Sequence, residues 1–216
     1  MNSFSKNTLF CAGSAVLLCK TALAASLVTN GDFSANAAGF TTFPGYANSG
    51  SNPSTITGWT YSGAVQFGIN GDGLTNPFGP GNRSAATYYA FIQRTGQLSQ
   101  ALALTADTTY DISFLAAARN GNNALGRVTV ADNSTTFYDS GLNAWSNSAF
   151  ESVSSQFTTG STLDGPVLIT LINDSPNADL TVDYADVIVE IAPIPEPSSL
   201  LLLGLGAFST LLLRRR

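Results

Sequence analysis

The segment Thr109–Ala118 constrains the fold more than any other, because its side chains alternate in character along the chain. Every second residue from Tyr110 to Ala116 is apolar, which is the pattern of a strand with one face buried in a core. Similar short apolar segments recur, separated by turn-forming pairs such as Asn120-Gly121 and Asp164-Gly165. No comparable helical pattern precedes residue 198. The chain is therefore predicted to be all-β, a β-sandwich or a barrel.

Further strands are predicted from the same combination of apolar runs and turn residues. Residues 56–67 predict a pair of strands that is broken near Ser62-Gly63. Residues 34–55 and 70–84 are rich in small residues, Gly and Pro, and are predicted to form long loops. The remaining predicted strands are 86–93, 98–104, 126–131, 135–138, 150–157, 167–172 and 180–191.

The N-terminus has the organisation of a secretory signal peptide. Lys6 precedes an apolar stretch, residues 8–19, and the small residues of Ala22-Leu23-Ala24 come before the expected cleavage site. A lipoprotein attachment at Cys19 is an alternative, which the bulky Leu18 disfavours. Both cysteines lie within residues 1–24, so the domain predicted at 25–192 has no disulfide and no cysteine metal site.

The C-terminus combines three features in a fixed order. Pro195-Glu196-Pro197 is followed by an uncharged, leucine-rich run, residues 198–213, and then by Arg214, Arg215 and Arg216. As a helix the run would be about 24 Å long, slightly short of a bilayer core of roughly 30 Å. The arginines would stay on the cytoplasmic side.

This order resembles the PEP-CTERM sorting signal of exported bacterial proteins, here at residues 193–216. The resemblance implies recognition and removal by an exosortase-type processing enzyme. It also implies transient membrane anchoring through this helix alone, followed by a cell-surface or matrix location. A permanent tail anchor is the alternative, but it leaves the Pro-Glu-Pro tripeptide unexplained.

The charge of the domain limits its partners. Between the two end segments, four arginines accompany thirteen acidic residues, a net charge of −9. Lysine is absent after Lys20, and histidine is absent throughout. Because an acidic surface repels phosphate backbones, nucleic-acid binding is not expected. A polysaccharide partner is expected to be neutral or cationic, or to be bridged by calcium.

Five short motifs in the domain occur in the order found in a known fold. They are Leu27 to Phe33, Gly58-Trp59, Gly96 to Leu104, Thr109 to Phe114 and Val182 to Val189. Together they resemble the galactose-binding-like jelly roll, which many carbohydrate-binding modules share with exported proteins that carry this C-terminal signal. The resemblance implies a jelly-roll β-sandwich with Phe33, Tyr110 and Phe114 in its core.

The same resemblance implies a structural calcium ion between the first and last strands. Asp186 matches the late acidic position of such sites and Asp32 lies near the early one, although Ser34 stands where the family usually has glutamate. Calcium takes six to eight oxygen ligands, so backbone carbonyls, Asn30 or Asp183 would have to complete the shell. The alternative is that these acids are solvated turn residues.

Aromatic and amide side chains are the candidates for sugar recognition, because flat rings stack on the C–H faces of sugars. Trp145 has polar neighbours and is predicted to be exposed in a loop. Trp59 lies in an apolar strand, where a place in the core is the competing interpretation. Arg119 and Asn122 belong to a polar cluster that suits hydroxyl recognition or an ordinary hairpin turn.

Catalysis has little support in the residue composition. Without histidine or a mature cysteine, Ser-His-Asp and Cys-His mechanisms are excluded, and a glycosidase with paired carboxylates is the remaining enzymatic alternative. We expect an exported, non-catalytic protein that associates with extracellular polysaccharide. The alternative is a structural matrix or adhesion protein with a protein partner and no specific glycan.

Overall fold

The computed structural model describes residues 25–63, 66–71, 77–176 and 179–193. The predicted signal peptide and almost all of the sorting segment, including Pro195-Glu196-Pro197 and Arg214–Arg216, lie outside the described residues. Within the described ranges the one helix is a single 3-10 turn, Ala37–Gly39. No helix in these ranges has the length and apolarity that a bilayer crossing requires.

Eleven strands form the described domain. In chain order they are β1 Thr60–Gly63, β2 Gln66–Gly71, β3 Tyr88–Gln93, β4 Gly96–Leu102, β5 Thr109–Ala118, β6 Leu125–Ala131, β7 Thr136–Asp139, β8 Asn143–Ala144, β9 Glu151–Thr158, β10 Val167–Asn173 and β11 Thr181–Ile191.

The strands are arranged in two antiparallel sheets. One has the order β1-β4-β10-β6-β7, with the short β8 also paired to β6, and the other has the order β2-β3-β11-β5-β9. Apolar side chains from the two facing surfaces form one buried cluster. The predicted all-β jelly-roll sandwich is therefore confirmed.

One prediction of strand pairing is wrong. Strands β1 and β2, which lie on either side of the predicted break, do not pair with each other. β1 pairs with β4 in one sheet, and β2 pairs with β3 in the other. Gly63 adopts a φ of 125°, a conformation open to glycine, and ends β1 before the chain crosses between sheets. Pattern alone identified two strands but could not assign each of them to a sheet.

The core follows the alternation predicted from the sequence. Phe33, Tyr110 and Phe114 are all buried, as expected. Tyr184 is fully buried on β11, and its hydroxyl donates to the Ile172 carbonyl at 2.7 Å. Because Ile172 lies in the opposite sheet, this bond links the two layers and satisfies a buried polar group.

Candidate functional site

The outer face of the five-stranded sheet holds a buried acid, Asp183. Its neighbours across the sheet are Phe91 on β3 and Ala117 on β5. Since Tyr184 points into the sandwich core, the alternation of the strand directs Asp183 to the other face. Asp183 is fully buried, and neither carboxyl oxygen has a hydrogen-bond partner among the residues that the structure describes.

The electrostatic environment of Asp183 favours its protonated form. Burial raises the pKa of this carboxyl well above its ordinary value, and the charges of Arg83 and Arg119 oppose that shift only partly. On the same face of β11, the hydroxyl of Thr181 is also buried without a partner in the described ranges. Such groups are costly to bury without compensation, so the burial of Asp183 and Thr181 lowers the stability of the fold.

An aromatic stack covers this part of the sheet. The rings of Phe78 and Phe91 stack with centroids 4.3 Å apart, and Tyr46 packs on both at 5.2 and 5.6 Å. The segment that carries Phe78 is fastened by backbone bonds, from Asn120 N to the Gly79 carbonyl at 2.8 Å among others. The stack is therefore a fixed part of the fold.

Four polar side chains surround the stack, and we call them the Arg119 rim: Tyr46, Gln93, Arg119 and Asp179. The Tyr46 hydroxyl donates to Gln93, whose amide donates to the Asp179 carboxylate at 2.6 Å. Arg119 lies 3.7 Å from the same carboxylate and 5.2 Å from the centroid of the Phe78 ring. The side chains of Arg119 and Asp179 are 28% and 82% exposed, so the rim is accessible from solvent.

Two residues singled out in the sequence come together at this rim. Asn122 donates from its amide to the backbone carbonyl of Asp179 at 3.1 Å, next to the ion pair of Arg119. The Asn122 carbonyl in turn accepts from Asn147 at 2.8 Å. Arg119 and Asn122 therefore belong to one hydrogen-bonded surface, whose role in ligand binding stays a prediction.

The predicted exposure of Trp145 is wrong. Its side chain is 6% exposed and packs edge-on against Phe114, with ring centroids 6.2 Å apart. Gly126 makes room for the indole, since a Cβ there would lie 2.6 Å from Nε1 of Trp145. The polar neighbours of Trp145 in the sequence say nothing about this space, which exists only once β6 is in place.

Trp59 is a core residue, which was the alternative to a role in sugar binding. It is 5% exposed, packs on Phe33 with centroids 5.6 Å apart and donates from its indole to the Asn30 carbonyl at 3.2 Å. Neither tryptophan therefore presents a ring face to solvent for sugar stacking.

The two aspartates of the predicted calcium site lie together. Asp32 and Asp186 line one surface cavity of about 400 Å³, where the turn before the first strand meets β11. Gly31 lets the two segments approach, because a Cβ there would lie 2.0 Å from the Val187 carbonyl oxygen. Asp186 occupies a bulge in β11 and has a φ of 48°.

Their charges interact unfavourably in the absence of a cation. Burial, and secondly the negative charge of Asp32, raise the pKa of Asp186. Asp32 accepts hydrogen bonds from the backbone and hydroxyl of Ser34 at 3.2 and 2.8 Å. No group of three or more acidic, histidine or cysteine side chains suited to a metal occurs in the described ranges. Any ion at this position would need hydroxyl, backbone or water oxygens beside the two carboxylates.

The two further ligands considered for this ion differ in position. Asn30 lines the cavity, but its side-chain oxygen accepts from Ala35 N at 2.9 Å and its amide donates to the Thr57 carbonyl at 2.9 Å. Asp183 does not line the cavity and lies on the outer face of the sheet. Two carboxylates thus converge here, and neither additional side chain completes a shell.

Sequence reasoning missed Tyr46, Gln93 and the placement of Asp183. A carboxylate inside the apolar strand 180–191 was the available signal, because such a residue is out of place in a strand that is buried on both sides. Tyr46 lies in a segment read as a featureless loop, and Gln93 ends a strand. Their proximity depends on contacts between distant parts of the chain.

A family comparison assigns most of the domain. Residues 26–181 match the family described as "Protein of unknown function (DUF642)". The chain belongs to this family. Residues 193–216 of the DUF642 protein match the PEP-CTERM protein-sorting motif, which confirms the prediction made from Pro-Glu-Pro, the apolar run and the arginines. The motif implies export and a cell-surface or matrix location.

Solved structures share the fold of the DUF642 domain at low sequence identity. A Stig cyclase from Fischerella sp. TAU is 17% identical with a TM-score of 0.55, and the match covers 79% of this chain and 98% of that one. The apo form of a cyclase from Fischerella sp. is 18% identical with a TM-score of 0.56, covering 78% and 96%. The CBM22-1 xylan-binding domain from Paenibacillus barcinonensis is 15% identical with a TM-score of 0.46, covering 69% and 93%. No curated protein matches the chain. These likenesses concern the fold alone.

Proposed function

We propose that this DUF642 protein is an exported, non-catalytic surface or matrix protein that associates with neutral extracellular polysaccharide through the Arg119 rim. The observation that carries the proposal is the rim itself, in which phenol, amide, guanidinium and carboxylate groups form one connected, partly exposed surface over a fixed aromatic stack. The PEP-CTERM motif of the protein supports a cell-surface or matrix location. A protein at that location is in contact with extracellular polymers.

The chemistry of the rim suits hydroxyl groups. Arg119 and the Asn122 amide can donate to sugar oxygens, and the Asp179 carboxylate can accept from sugar hydroxyls. The acidic charge of the domain disfavours polyanions. Attachment to a repeating polymer by many copies would raise the effective affinity of a weak single site.

The first prediction concerns glycan binding. Replacing Arg119 with alanine should weaken binding to a neutral glycan about tenfold or more, because a hydrogen bond to a charged group contributes about 1.5–3 kcal/mol. Binding of the full chain to a panel of soluble neutral polysaccharides, measured by affinity electrophoresis, tests this expectation.

Arg127 provides the matched control. It lies in the opposite sheet, its side chain is 36% exposed, and it forms ion pairs with Asp139 and Asp174 at 3.6 and 3.4 Å. Arg127→Ala should leave binding unchanged. Equal losses of glycan binding in Arg119→Ala and Arg127→Ala would show that the Arg119 rim is not the binding site. A parent chain that binds no glycan would favour the alternative of a matrix or adhesion protein with a protein partner.

We also propose that Asp32 and Asp186 hold a structural calcium ion. The support is that two carboxylates converge on one cavity and that the charge of Asp32 raises the pKa of Asp186. A bound cation would relieve this repulsion and fasten the opening turn to β11.

An exosortase-type enzyme remains the expected processing partner, and the membrane is expected to be contacted only through the sorting segment.

The second prediction follows from this calcium proposal. An ion that binds only the native state stabilises it by about 2.7 kcal/mol at a hundredfold excess over its dissociation constant. Added calcium should therefore raise the melting temperature, and Asp186→Asn should abolish the rise. Asp107→Asn is a matched control, because both aspartates adopt the left-handed backbone conformation, with φ of 49° at Asp107 and 48° at Asp186. This variant should keep the response to calcium. A melting temperature that changes neither with added calcium nor with a chelator would refute the proposal.

A further inference from the structure

Strand β9 forms one edge of the five-stranded sheet and is unusually exposed. It pairs along its whole length with β5 on one side only. Of its eight residues, only Phe157 is buried and Val153 is half-buried, whereas the others are exposed. Among the described residues, no backbone or side-chain group bonds to the outer edge of β9. An open edge of this kind presents unpaired N–H and C=O groups to solvent.

The other three edges of the sandwich are short or covered. β1 and β7 contain four residues each. The free side of β2 is covered by the segment before it, since Ala47 N donates to the Phe67 carbonyl at 2.8 Å and Tyr46 bridges to Gly68. Within the described part of the chain, β9 is thus the one long edge without cover.

The composition of β9 also lacks the usual protection against pairing. Natural edge strands are commonly interrupted by proline, lysine or bulges. β9 contains no proline, lysine or arginine, and Glu151 at its start is its single charged residue. Its central residues, Ser154 and Ser155, are small and neutral. The strand is therefore suited to accept another strand.

We propose that β9 pairs antiparallel with β9 of a second copy of this chain, joining two five-stranded sheets into one sheet of ten. A strand that pairs with its own copy across a two-fold axis is self-complementary by symmetry. The single charge is compatible with this arrangement: a central axis separates the two Glu151 carboxylates by about six residues of strand, or roughly 20 Å, which is beyond the Debye length of ~8 Å at physiological salt. The pairing does not depend on glycan binding.

The geometry limits the axis to two positions. Side chains opposite each other in an antiparallel pair lie on the same face, so a two-fold axis perpendicular to the sheet passes beside a residue and not between two. Ser154 and Ser155 lie nearest the centre of β9, so an axis at either of them leaves the most residues paired. The residue on the axis then faces its own copy, with Cα atoms about 4.5–5.5 Å apart. That spacing is within the range that a disulfide spans.

The test uses this spacing. In a full chain in which Cys11→Ser and Cys19→Ser leave no native thiol, Ser154→Cys and Ser155→Cys are introduced separately and oxidised in mild detergent. We expect one of them to give a disulfide-linked dimer on a non-reducing gel in high yield. Ser161→Cys, at an exposed loop position outside β9, should remain largely monomeric. Combining Ser154→Lys with Ser155→Cys, or Ser155→Lys with Ser154→Cys, should abolish the cross-link by placing two lysines at the interface.

Several results would overturn the proposal. They are monomers for both cysteine variants, equal cross-linking of Ser161→Cys, and a cross-link that persists beside the lysine substitutions. Thermal melting of each reduced variant verifies that these exposed substitutions leave the fold intact.

Discussion

Replacing Gly31 with alanine is expected to lower the free energy of unfolding by about 3 kcal/mol, as overpacking of a tight contact does. The added Cβ would lie 2.0 Å from the Val187 carbonyl oxygen and 3.0 Å from its carbon. Both atoms belong to the backbone of β11, which pairs with β5 on either side of the bulge that contains Val187. Val187 N also donates to the Gly31 carbonyl at 3.0 Å. Moving the two segments apart to relieve the clash would break this hydrogen bond.

Gly160→Ala is the control for this substitution. The nearest atom to a Cβ at Gly160 is the Thr162 carbonyl oxygen at 3.4 Å, and its φ is not in the left-handed region. This variant should change stability by less than about 0.5 kcal/mol. Urea unfolding of both variants measures the difference. Similar losses for the two would show that the docking of the opening turn on β11 is not a tight contact.

Replacing Asp183 with asparagine is expected to raise the free energy of unfolding near neutral pH by more than about 1 kcal/mol, because the amide is already neutral in the unfolded chain and needs no proton on folding. Burial raises the pKa of Asp183 in the folded protein well above its value of 3.8 in a model peptide. Between these two values the folded state binds the proton and the unfolded state releases it. Proton binding by Asp183 therefore contributes to the free energy of unfolding in full below pH 3.8, and this contribution is lost as the pH rises through the pKa of the folded state.

The measurement compares urea unfolding of the parent and Asp183→Asn across pH 3 to 8. The gain in stability of the variant should be small at the acidic end and should grow with pH. Asp164→Asn removes an exposed turn carboxylate and should show no such growth. Parallel curves for the parent and Asp183→Asn would mean that Asp183 ionises as easily in the fold as in the unfolded chain.

The success of the strand prediction has a physical basis in burial. Strand β5 was predicted residue for residue as Thr109–Ala118 because one of its faces packs in the core along its whole length. β8 was not predicted, since two residues are too few to show alternation. The assignment of β1 and β2 to different sheets also lay beyond the pattern, because alternation reports which face is buried and not which strand lies alongside.

The candidate site was predicted only in part. Arg119 and Asn122 were found because charged and amide residues in an Asn-Gly turn stand out from their surroundings. Trp145 was misplaced because its polar neighbours suggested a solvent-exposed loop, whereas Gly126 provides space for its ring. Asp32 and Asp186 do line one cavity, but Asp32 reaches it from a turn and not from a strand, and their role as metal ligands stays a prediction.

The sequence by itself determined the all-β class, the absence of cysteine from residues 25–192 and the sorting motif at the C-terminus, while the jelly roll was implied by the resemblance of five short motifs to a known fold. Each of these depends on residue types in a local order, and local order is visible along a chain. The tertiary structure alone decided that Asp183 is buried, that the Arg119 rim forms and that β9 is left uncovered. These properties depend on which distant segments cover each face and edge of the sheets, as Phe78 and Tyr46 do above Phe91. Burial and pairing at these positions are set by contacts that no single segment specifies.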